Sequence, residues 1–560
     1  MLSFDLEKKD FVKLARRLKK PGFIQLLANP KSKCSPLGLY RRLQKTKSKT
    51  CNCSYLLESV EKAESKARYS FVGNEADAVL SIKGKELSLT YLAQERELFE
   101  VLCRGIEKCC KLEAKIESKN PKDLKNPLQL RASILPGKDG FDTLRSAFPP
   151  ANGAALLNGK RFSRQTFLGG AIGFTAYDSV YECFLKQKAS LESELPDHQF
   201  LLVSKTFLFD HLKKEVYLVL TPFVNPESDS DPETLYEKAL LEAERLSLLL
   251  KEAEEFEQEG EKGKEKRKNK REKQTQAIKY LQDRDKKAFE AAVLAAKQQI
   301  LKGNIFQVVL SRSQTFGTQK SAFELYLRLR AINPSPYMYL FEFGKLALVG
   351  ASPETLLAIH RRTLSINPIA GTCPRGRTKA EDEALAARLL EDEKEKAEHV
   401  MLVDLGRNDV RSVSKRGSVK VKDFMKVLKY SHVQHLESSI KGKLRPECDQ
   451  FDAFRASFPA GTLSGAPKLR AMEIIATLET APRGTYGGGA GYYSWNGDAD
   501  FAILIRTLLL KDGLVFVQAG AGIVADSLPE KEFLETEAKM GALIKAVGKK
   551  AESENQIKEG

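Results

Sequence analysis

The sequence lacks the features that define several special classes of protein. Its 560 residues include one tryptophan and nine cysteines, and the cysteines form no C-x-x-C pair. A disulfide framework or a structural zinc site is therefore not expected. No apolar run approaches the roughly 20 residues that a membrane helix needs, and the opening residues lack the apolar core of a secretory signal. We expect no membrane span and a cytoplasmic location.

The remaining composition is that of a soluble globular protein. Hydrophobic residues make up 42% of the chain and charged residues 29%, which excludes collagen and general disorder. The 91 basic residues exceed the 74 acidic ones, so the formal net charge is +17. A chain of this length and composition is expected to form two domains.

A highly charged segment at 251–278 divides the chain. It has six glutamates between Glu252 and Glu261, followed by eight basic residues between Lys262 and Lys273. Because it is too polar to bury much surface, we interpret it as a charged linker or insertion, or as the solvated end of a helical hairpin. The expected domains are residues 1–250 and 279–549, followed by a polar tail at 550–560. No internal repeat is evident.

The basic run also raises a function of another class, which is nucleic-acid binding. The run has no interleaved aromatic residues, and the neighbouring acidic stretch offsets its charge locally. A solvated linker is therefore favoured, and nucleic acid is an unlikely partner.

Two pairs of glutamates share a spacing that places each pair on one face of a predicted helix. They are Glu395 with Glu398, and Glu532 with Glu535. If the two helices converge, their carboxylates suit Mg²⁺, which prefers oxygen ligands and keeps several waters. Spacing alone favours the simpler alternative of exposed helix glutamates.

Four glycine-rich stretches bracket these helices, at 368–372, 458–467, 486–492 and 518–522. Glycine lets backbone N–H groups approach an anion closely, and such turns beside Arg506 and Lys539 would suit a small dicarboxylate. Plain turns are the alternative for each stretch. None matches a P-loop or a strand-anchored G-x-G-x-x-G, so nucleotide binding is not indicated.

Longer motifs carry a resemblance to a known family. The runs GNIFQVVLS, PIAGT, AEHVMLVDLGRND, FPAGTLSGAPKLRAMEII, YGGGAGYY and VQAGAGIVADS occur in this order between 303 and 527. Together they resemble the chorismate-using enzymes, most closely anthranilate synthase component I. The resemblance implies an α+β fold in which large antiparallel sheets pack as a sandwich flanked by helices. It also implies an N-terminal domain at 1–250 and a chorismate-binding catalytic domain at 279–549.

The resemblance gives roles to individual residues. Four glutamates would bind Mg²⁺, namely Glu395, Glu398, Glu532 and Glu535. The substrate contacts would be Tyr486, Arg506, Gly520, Gly522, Gly371, Thr372 and Lys539. The catalytic positions would be His435, Glu354, Gln307 and Thr462. The reaction implied is amination of chorismate at C2 followed by loss of pyruvate, with Mg²⁺ as the only cofactor.

The catalytic positions match the chemistry of these two steps. Glu354 corresponds to a general acid that protonates the leaving C4 hydroxyl, and His435 to a histidine implicated in the elimination. Gln307 stands where water-using relatives have a lysine base, which disfavours an isochorismate or salicylate synthase. Ala370 stands where many aminodeoxychorismate synthases have a lysine. That folate-branch enzyme remains the alternative. Glu437 replaces an apolar family residue and would perturb the pKa of His435 if it pointed inward.

Regulation and a partner are implied in the same way. The segment Leu57, Glu58, Ser59 resembles the family's tryptophan-binding segment, and Pro336, Tyr337, Met338 resembles the second wall of that site. Feedback inhibition by L-tryptophan is therefore expected. No cysteine lies in a nucleophile elbow, so ammonia would come from a glutamine amidotransferase component II subunit or from solution.

Overall fold

The computed structural model describes residues 2–45, 52–59, 68–93, 95–116, 127–159, 162–187, 191–228, 230–264, 280–429 and 433–548. Within these residues, no helix is long and apolar enough to cross a membrane. The predicted polar tail at 550–560 lies outside the described residues, as does most of the basic run.

Twelve α-helices occur in the described part of the chain. They are α1 Lys8–Arg17, α2 Pro36–Lys45, α3 Arg96–Ile106, α4 Gly140–Ser146, α5 Pro232–Lys264, α6 Lys286–Leu301, α7 Ala322–Ile332, α8 Lys379–Glu391, α9 Glu393–Val413, α10 Gln450–Ser457, α11 Lys468–Leu478 and α12 Pro529–Val547. Local sequence sets their ends: the Ser321 and Glu324 side chains form a capping box before α7, and α12 has proline at its first turn and ends at Gly548 in the left-handed region.

The strands of the first half of the chain are β1 Gly22–Ile24, β2 Leu26–Ala28, β3 Cys53–Glu58, β4 Tyr69–Gly73, β5 Ala78–Lys83, β6 Glu86–Tyr91, β7 Cys110–Ile116, β8 Leu128–Ile134, β9 Ala155–Leu157, β10 Gly170–Thr175, β11 His198–Val203, β12 Lys205–Asp210, β13 Glu215–Leu220 and β14 Phe223–Val224. Those of the second half are β15 Tyr280–Gln282, β16 Gln307–Gly317, β17 Tyr337–Phe343, β18 Leu346–Ser352, β19 Thr355–His360, β20 Thr363–Ile366, β21 Ile369–Pro374, β22 Lys420–Lys429, β23 Val433–Lys443, β24 Gly465–Ala466, β25 Gly489–Ser494, β26 Ala499–Ile503, β27 Thr507–Lys511 and β28 Leu514–Ile523.

Two large antiparallel sheets form the body of the protein. One contains 13 strands in the order β21-β23-β20-β19-β26-β25-β10-β11-β5-β6-β8-β7, with β22 added beside β23, and the other contains 12 strands in the order β15-β16-β28-β27-β18-β17-β3-β4-β12-β13-β2, with β24 beside β16. Alternate side chains from both sheets fill the layer between them, including Phe71, Phe174, Tyr339 and Tyr492. Helices cover the two outer faces. The α+β sandwich expected from the motifs is confirmed.

Both sheets cross the boundary that divides the chain into residues 1–250 and 279–549. In the first sheet β10 pairs with β25 along Gly170 to Thr175, and in the second β3 pairs with β17 along Cys53 to Glu58. The two sequence segments therefore do not form separate sheets. Continuous strand pairing joins them, because each half leaves one strand edge that the other half satisfies.

The structure reveals an internal repeat, contrary to the expectation from sequence. Each sheet has the same chain order outward from its centre: β10, β11, β5, β6 on one side matches β25, β26, β19, β20 on the other, and β3, β4, β12, β13 matches β17, β18, β27, β28. The N-caps of α4 and α10 both have the form Asp-x-Phe-Asp. Arg145 on α4 pairs with Asp449 at 2.9 Å, and Arg455 on α10 pairs with Asp139. The two halves exchange equivalent ion pairs.

The acidic part of the charged segment is helical rather than an extended linker. Helix α5 continues to Lys264, Ala253 is fully buried, and Glu252 accepts a hydrogen bond from Arg42 at 2.6 Å. Glu254 accepts another from Ser32. The glutamates that looked solvated in sequence therefore anchor α5 to the loop before α2. The basic residues from 265 to 278 lie outside the described residues.

Seven cysteines of the described part are free thiols, six of them buried. Cys53 is disulfide-bonded, whereas the spacing of the cysteines predicts reduced thiols and no disulfide framework.

Candidate active site

The start of β16 and the end of β28 form the floor of the predicted catalytic site. They pair so that Val309 lies opposite Gly522 and Ser311 opposite Gly520. A Cβ on Gly520 would lie 2.7 Å from the Leu310 carbonyl oxygen, and one on Gly522 would lie 2.6 Å from Gln307 Nε2. Glycine is therefore required here by close approach, and any larger residue would fill the site.

Gln307 is almost fully buried at the first position of β16. Its Nε2 donates to Glu398 Oε1 at 3.4 Å, and its Oε1 has no hydrogen-bond partner in the described part of the chain. A buried amide oxygen without a partner costs free energy unless a ligand donor fills the position. Gln307 thus presents one free acceptor to the site.

Glu354 follows β18 and is held in a dry environment. Its carboxyl Oε1 accepts a hydrogen bond from Thr462 Oγ1 at 3.0 Å, and its backbone carbonyl accepts one from Ile503. Burial raises the pKa of Glu354 to about 8, although the Thr462 hydroxyl and the charge of Lys539 act in the opposite direction. The side chain is therefore mostly protonated at neutral pH, which is the state a general acid needs.

His435 lies on β23 opposite Thr372 of β21. Its Nδ1 is 3.1 Å from the Gly371 carbonyl oxygen. Because a carbonyl only accepts, Nδ1 carries the proton and Nε2 is the ring nitrogen that can act as a base. Burial lowers the pKa of His435, which favours the neutral ring. The side chain of Thr372 lies outside what the structure describes.

Arg506 and Tyr486 approach the site from adjacent loops. Arg506 has a φ of 51°, a left-handed conformation that costs a non-glycine residue roughly 1 kcal/mol or more. Burial lowers the pKa of its guanidinium, and Tyr486 and Glu535 act against this. No side-chain hydrogen bond to Arg506 occurs within the described residues, so its donors are available to a carboxylate. The Tyr486 hydroxyl receives a hydrogen bond from the Gly520 backbone.

The predicted metal ligands come from α9 and α12. Burial raises the pKa of Glu395, and the negative charges of Glu398, Asp392 and Glu535 raise it further, so a carboxylate of α12 lies close enough to α9 to repel Glu395. Burial also raises the pKa of Glu532. Lys539 neutralises part of this charge, since its Nζ is 2.6 Å from Glu535 and donates to the Gly520 carbonyl at 2.9 Å.

Within the described residues, no group of three or more His, Cys, Asp or Glu side chains forms a metal cage. The donors nevertheless fit Mg²⁺ chemically, because this ion usually takes only one or two protein carboxylates and completes its shell with water and substrate. The mutual repulsion of the glutamates is the feature that a cation would relieve.

All six residues of the predicted tryptophan site line one cavity of about 640 Å³, namely Leu57, Glu58, Ser59, Pro336, Tyr337 and Met338. This cavity lies between the two sheets, at the end of β3 and the start of β17, which form the central pair of the second sheet. The Glu58 carboxylate is bound by Tyr326 at 2.5 Å and by Arg330 at 3.1 Å, both on α7. Glu58 therefore also ties α7 to the cavity wall.

The sequence did not indicate several residues that the structure places at these sites. Asp500 lines the same cavity, accepts from the Tyr337 hydroxyl at 2.8 Å and from Gln165 at 3.2 Å, and has a pKa raised to about 6 by burial. No sequence motif distinguishes Asp500 from an ordinary surface carboxylate. Glu437, already singled out in the sequence beside His435, also lines the cavity and accepts a hydrogen bond from Asn367 at 3.1 Å.

His399, which follows Glu398, is fully buried. Its Nε2 is 2.6 Å from Ser438 Oγ, and burial lowers its pKa to about 4. It therefore packs α9 against β23 and does not reach the site beside Glu354.

Comparison with known proteins agrees with this geometry. Residues 102–545 match the model of the chorismate binding enzyme family. Anthranilate synthase component 1 of Haloferax volcanii is 40% identical over 98% of each chain, and that of Thermococcus kodakarensis is 40% identical over 92% of this chain and 97% of its own.

Two solved structures share the fold. The crystal structure of anthranilate synthase component I from Streptococcus pneumoniae is 31% identical, covers 85% of this chain and 92% of its own, and has a TM-score of 0.61. The menaquinone-specific isochorismate synthase from Escherichia coli, at 17% identity and a TM-score of 0.60, shares the fold alone. The resemblance expected from the motifs is confirmed, and the chain belongs to the chorismate-binding enzyme family, among relatives that are anthranilate synthase component 1 proteins.

Proposed function

We propose that the protein is an anthranilate synthase subunit that converts chorismate and ammonia to anthranilate and pyruvate, the first committed step of tryptophan biosynthesis. The observation that carries this proposal is Glu354. It is a buried carboxyl with a pKa near 8 that faces Thr462. The sequence relatives described above are named anthranilate synthase component 1, which supports the same reaction.

In the first step, ammonia forms a bond to C2 of chorismate while the C4 hydroxyl leaves as water. The ring double bonds shift, and a proton must reach the leaving oxygen. Protonated Glu354 is suited to supply it, since Thr462 fixes its carboxyl at 3.0 Å. Gln307 has no proton-accepting amine that could activate water, which favours ammonia as the nucleophile.

In the second step, the proton on C2 is removed and the enolpyruvyl C–O bond breaks, which releases pyruvate and leaves an aromatic ring. Neutral His435 is suited to this role because its Nδ1 faces the Gly371 carbonyl, which makes Nε2 the basic nitrogen of the ring. Arg506 would bind a substrate carboxylate through the donors that the protein leaves unused.

We also propose Mg²⁺ as cofactor, held by Glu395, Glu398, Glu532 and Glu535. When bound, it would neutralise the ring carboxylate of chorismate and orient it. The support is the donor chemistry and the mutual repulsion of these carboxylates between α9 and α12. Titration of the protein with Mg²⁺, read by protection against thermal unfolding, tests binding apart from turnover.

Two further proposals concern control of the reaction. L-tryptophan would inhibit by binding in the cavity that Ser59 and Met338 line. Ammonia would come from a separate glutamine amidotransferase subunit, because no cysteine of the sequence lies in a nucleophile elbow. The relatives' designation as component 1 supports a second component.

The experiment is to incubate the purified chain with chorismate, Mg²⁺ and ammonium, with and without tryptophan, and to identify products by fluorescence and mass spectrometry. Anthranilate with pyruvate is expected, and Glu354→Gln should abolish both. An aminated product that keeps its enolpyruvyl group would assign the protein to the folate branch. No turnover by a folded chain would refute the proposal.

A further inference from the structure

A buried ion pair lies directly beneath the candidate active site. Glu479 directly follows α11, Arg483 lies in the loop after it, and both are almost fully buried. Arg483 donates to the two Glu479 carboxylate oxygens at 2.7 and 2.9 Å. Taking two charges out of water costs free energy, which a hydrophobic pair of the same volume would avoid. Such a pair therefore indicates that its geometry serves something besides stability.

The guanidinium of Arg483 uses its fixed fork to join three separate segments. Besides Glu479, it donates to the Leu463 carbonyl at 2.6 Å and to the Val309 carbonyl at 2.7 Å. Val309 belongs to β16, and Leu463 ends the short turn Gly461–Leu463. A lysine has no planar fork and cannot reach these acceptors together.

The same guanidinium lies against two aromatic rings. Its carbon is 4.5 Å from the ring centroid of Tyr177 and 5.7 Å from that of Tyr486. Tyr177 comes from the first half of the chain, and the adjacent Asp178 accepts a hydrogen bond from the Gly484 backbone at 2.9 Å. The motif Tyr177-Asp178 thus binds the loop that carries Tyr486.

We propose that Arg483 is a positioning residue, which holds Thr462 against Glu354 on one side and Tyr486 against Gly520 on the other. It acts through these residues, and nothing in the contacts brings it to the substrate position. Leu463, whose carbonyl it binds, is the immediate neighbour of Thr462, and the Tyr486 backbone N–H donates to the Arg483 carbonyl at 3.0 Å. The inference rests on the proposed function, because Glu354 and Tyr486 take their roles from it.

The proposal makes a prediction that a merely structural role does not. The Thr462 hydroxyl lowers the pKa of Glu354, against the larger effect of burial. The charge of Lys539 on α12 and the Ile369 backbone N–H also lower the pKa of Glu354, and the charge of Glu437 on β23 raises it. Asp409 lines the same small crevice and forms an ion pair with Lys468. If Arg483 no longer fixes the turn, Glu354 loses only the hydrogen bond from Thr462, so its pKa rises. The alkaline limb of the profile of kcat against pH then moves to higher pH.

The experiment compares Arg483→Lys with Arg470→Lys, whose guanidinium makes an exposed ion pair with Glu473 on the same helix. For Arg483→Lys, kcat should fall about 10- to 100-fold, and the alkaline limb should move upward by about half to one pH unit. Arg470→Lys should match wild type in both. Adding Thr462→Val to Arg483→Lys should cause no further shift of the limb. A loss of rate with an unmoved limb, or additive shifts in the double variant, would overturn the proposal.

A second pair of variants covers the case in which Arg483→Lys does not fold. Tyr177→Leu removes one ring from the guanidinium and should lower kcat with the same upward shift. Tyr177→Phe keeps the ring and removes a hydroxyl that has no partner in the described residues, so it should behave as wild type. Equal behaviour of the two variants would also overturn the proposal. Wild type in the same assay reports on the proposed function separately, since it makes anthranilate or does not.

Discussion

Turnover is expected to fall above about pH 8, because the proposed acid must carry its proton. Burial raises the pKa of Glu354 to about 8. With that value, roughly 90% of the carboxyl is protonated at pH 7 and roughly 10% at pH 9. The value of kcat should therefore decrease by close to tenfold between these two pH values, in a limb that corresponds to one ionisation.

The assay is the initial rate of anthranilate fluorescence at saturating chorismate. Free ammonia must be held constant at each pH, because its own deprotonation would otherwise add a rising limb. Glu354→Gln should lower kcat by at least about 100-fold and leave no alkaline limb. A wild-type profile that stays level from pH 7 to pH 9 would refute the role of Glu354.

The same pKa predicts how stability depends on pH. The folded-state pKa near 8 lies above the ordinary value of 4.5, so the native state holds more protons than the unfolded state between these limits. The contribution of Glu354 is fully present below about pH 4.5 and is lost as pH rises through 8. The loss amounts to roughly 5 kcal/mol at most. Denaturant unfolding of wild type and Glu354→Gln at pH 5 and pH 8 measures it, and a difference that does not change with pH would contradict the burial argument.

Three further predictions concern other parts of the site. Gly520→Ala should cost roughly 1–3 kcal/mol and most activity, because the new Cβ meets a backbone oxygen at 2.7 Å; Gly541→Ala, with open space around it, should instead stabilise α12 by up to about 1 kcal/mol in the same thermal melts. Glu398→Gln should remove most turnover with incomplete rescue by excess Mg²⁺, and unchanged turnover at limiting Mg²⁺ would remove Glu398 from the ligand set. Ser59→Leu should relieve tryptophan inhibition at unchanged kcat, and persistent inhibition would argue against the cavity.

The resemblance predicts candidate site residues where the chemistry depends on residue type. Gln307, Glu354 and His435 come from separate parts of the sequence, and each contacts a partner in the structure that is consistent with its proposed role. The alternation of apolar and polar residues along strands could not predict these residues, because the site is built from strand ends and turns. The order of the motifs along the chain indicated the family, which hydrophobic periodicity does not.

The sequence did not predict the buried side-chain contacts that hold the site residues in place. Glu479 and Arg483 have the i,i+4 spacing of an ordinary exposed helix pair, yet both are buried. Tyr177 and Asp178 lie some 300 positions away in the chain from the loop that they bind. Such contacts follow from the pairing of β10 with β25, and only the folded sheets reveal it.

The internal repeat was not predicted from the sequence, because the two halves share the order of their strands and few identical residues. The acidic stretch after Glu252 was misleading for a related reason. Its glutamates looked solvated, but Glu254 and Glu257 accept hydrogen bonds from Ser32 and Ser35. Composition describes how polar a segment is, and it does not say which polar partners the fold brings to it.

The repeat shows how the two halves differ at the position of the proposed site. In the first half, Glu75 lies two residues past β4 and Lys205 begins the neighbouring β12; in the second, Glu354 lies two residues past β18 and Arg506 precedes the neighbouring β27. The two pairs thus occupy matching ends of matching strands.

Their surroundings differ in one decisive way. Lys205 is bound by Glu75 and by Glu242 of α5, each at 2.6 Å, and Arg245 bridges the same two glutamates at 2.7 Å. All four charges are satisfied within the protein, which leaves no group to bind or protonate a ligand. In the second half Arg506 has no side-chain hydrogen bond within the described residues, and the corresponding acid is kept protonated by burial. One half of the repeated fold therefore satisfies these charges within the protein, and under the proposed function the other half would keep them available for a substrate.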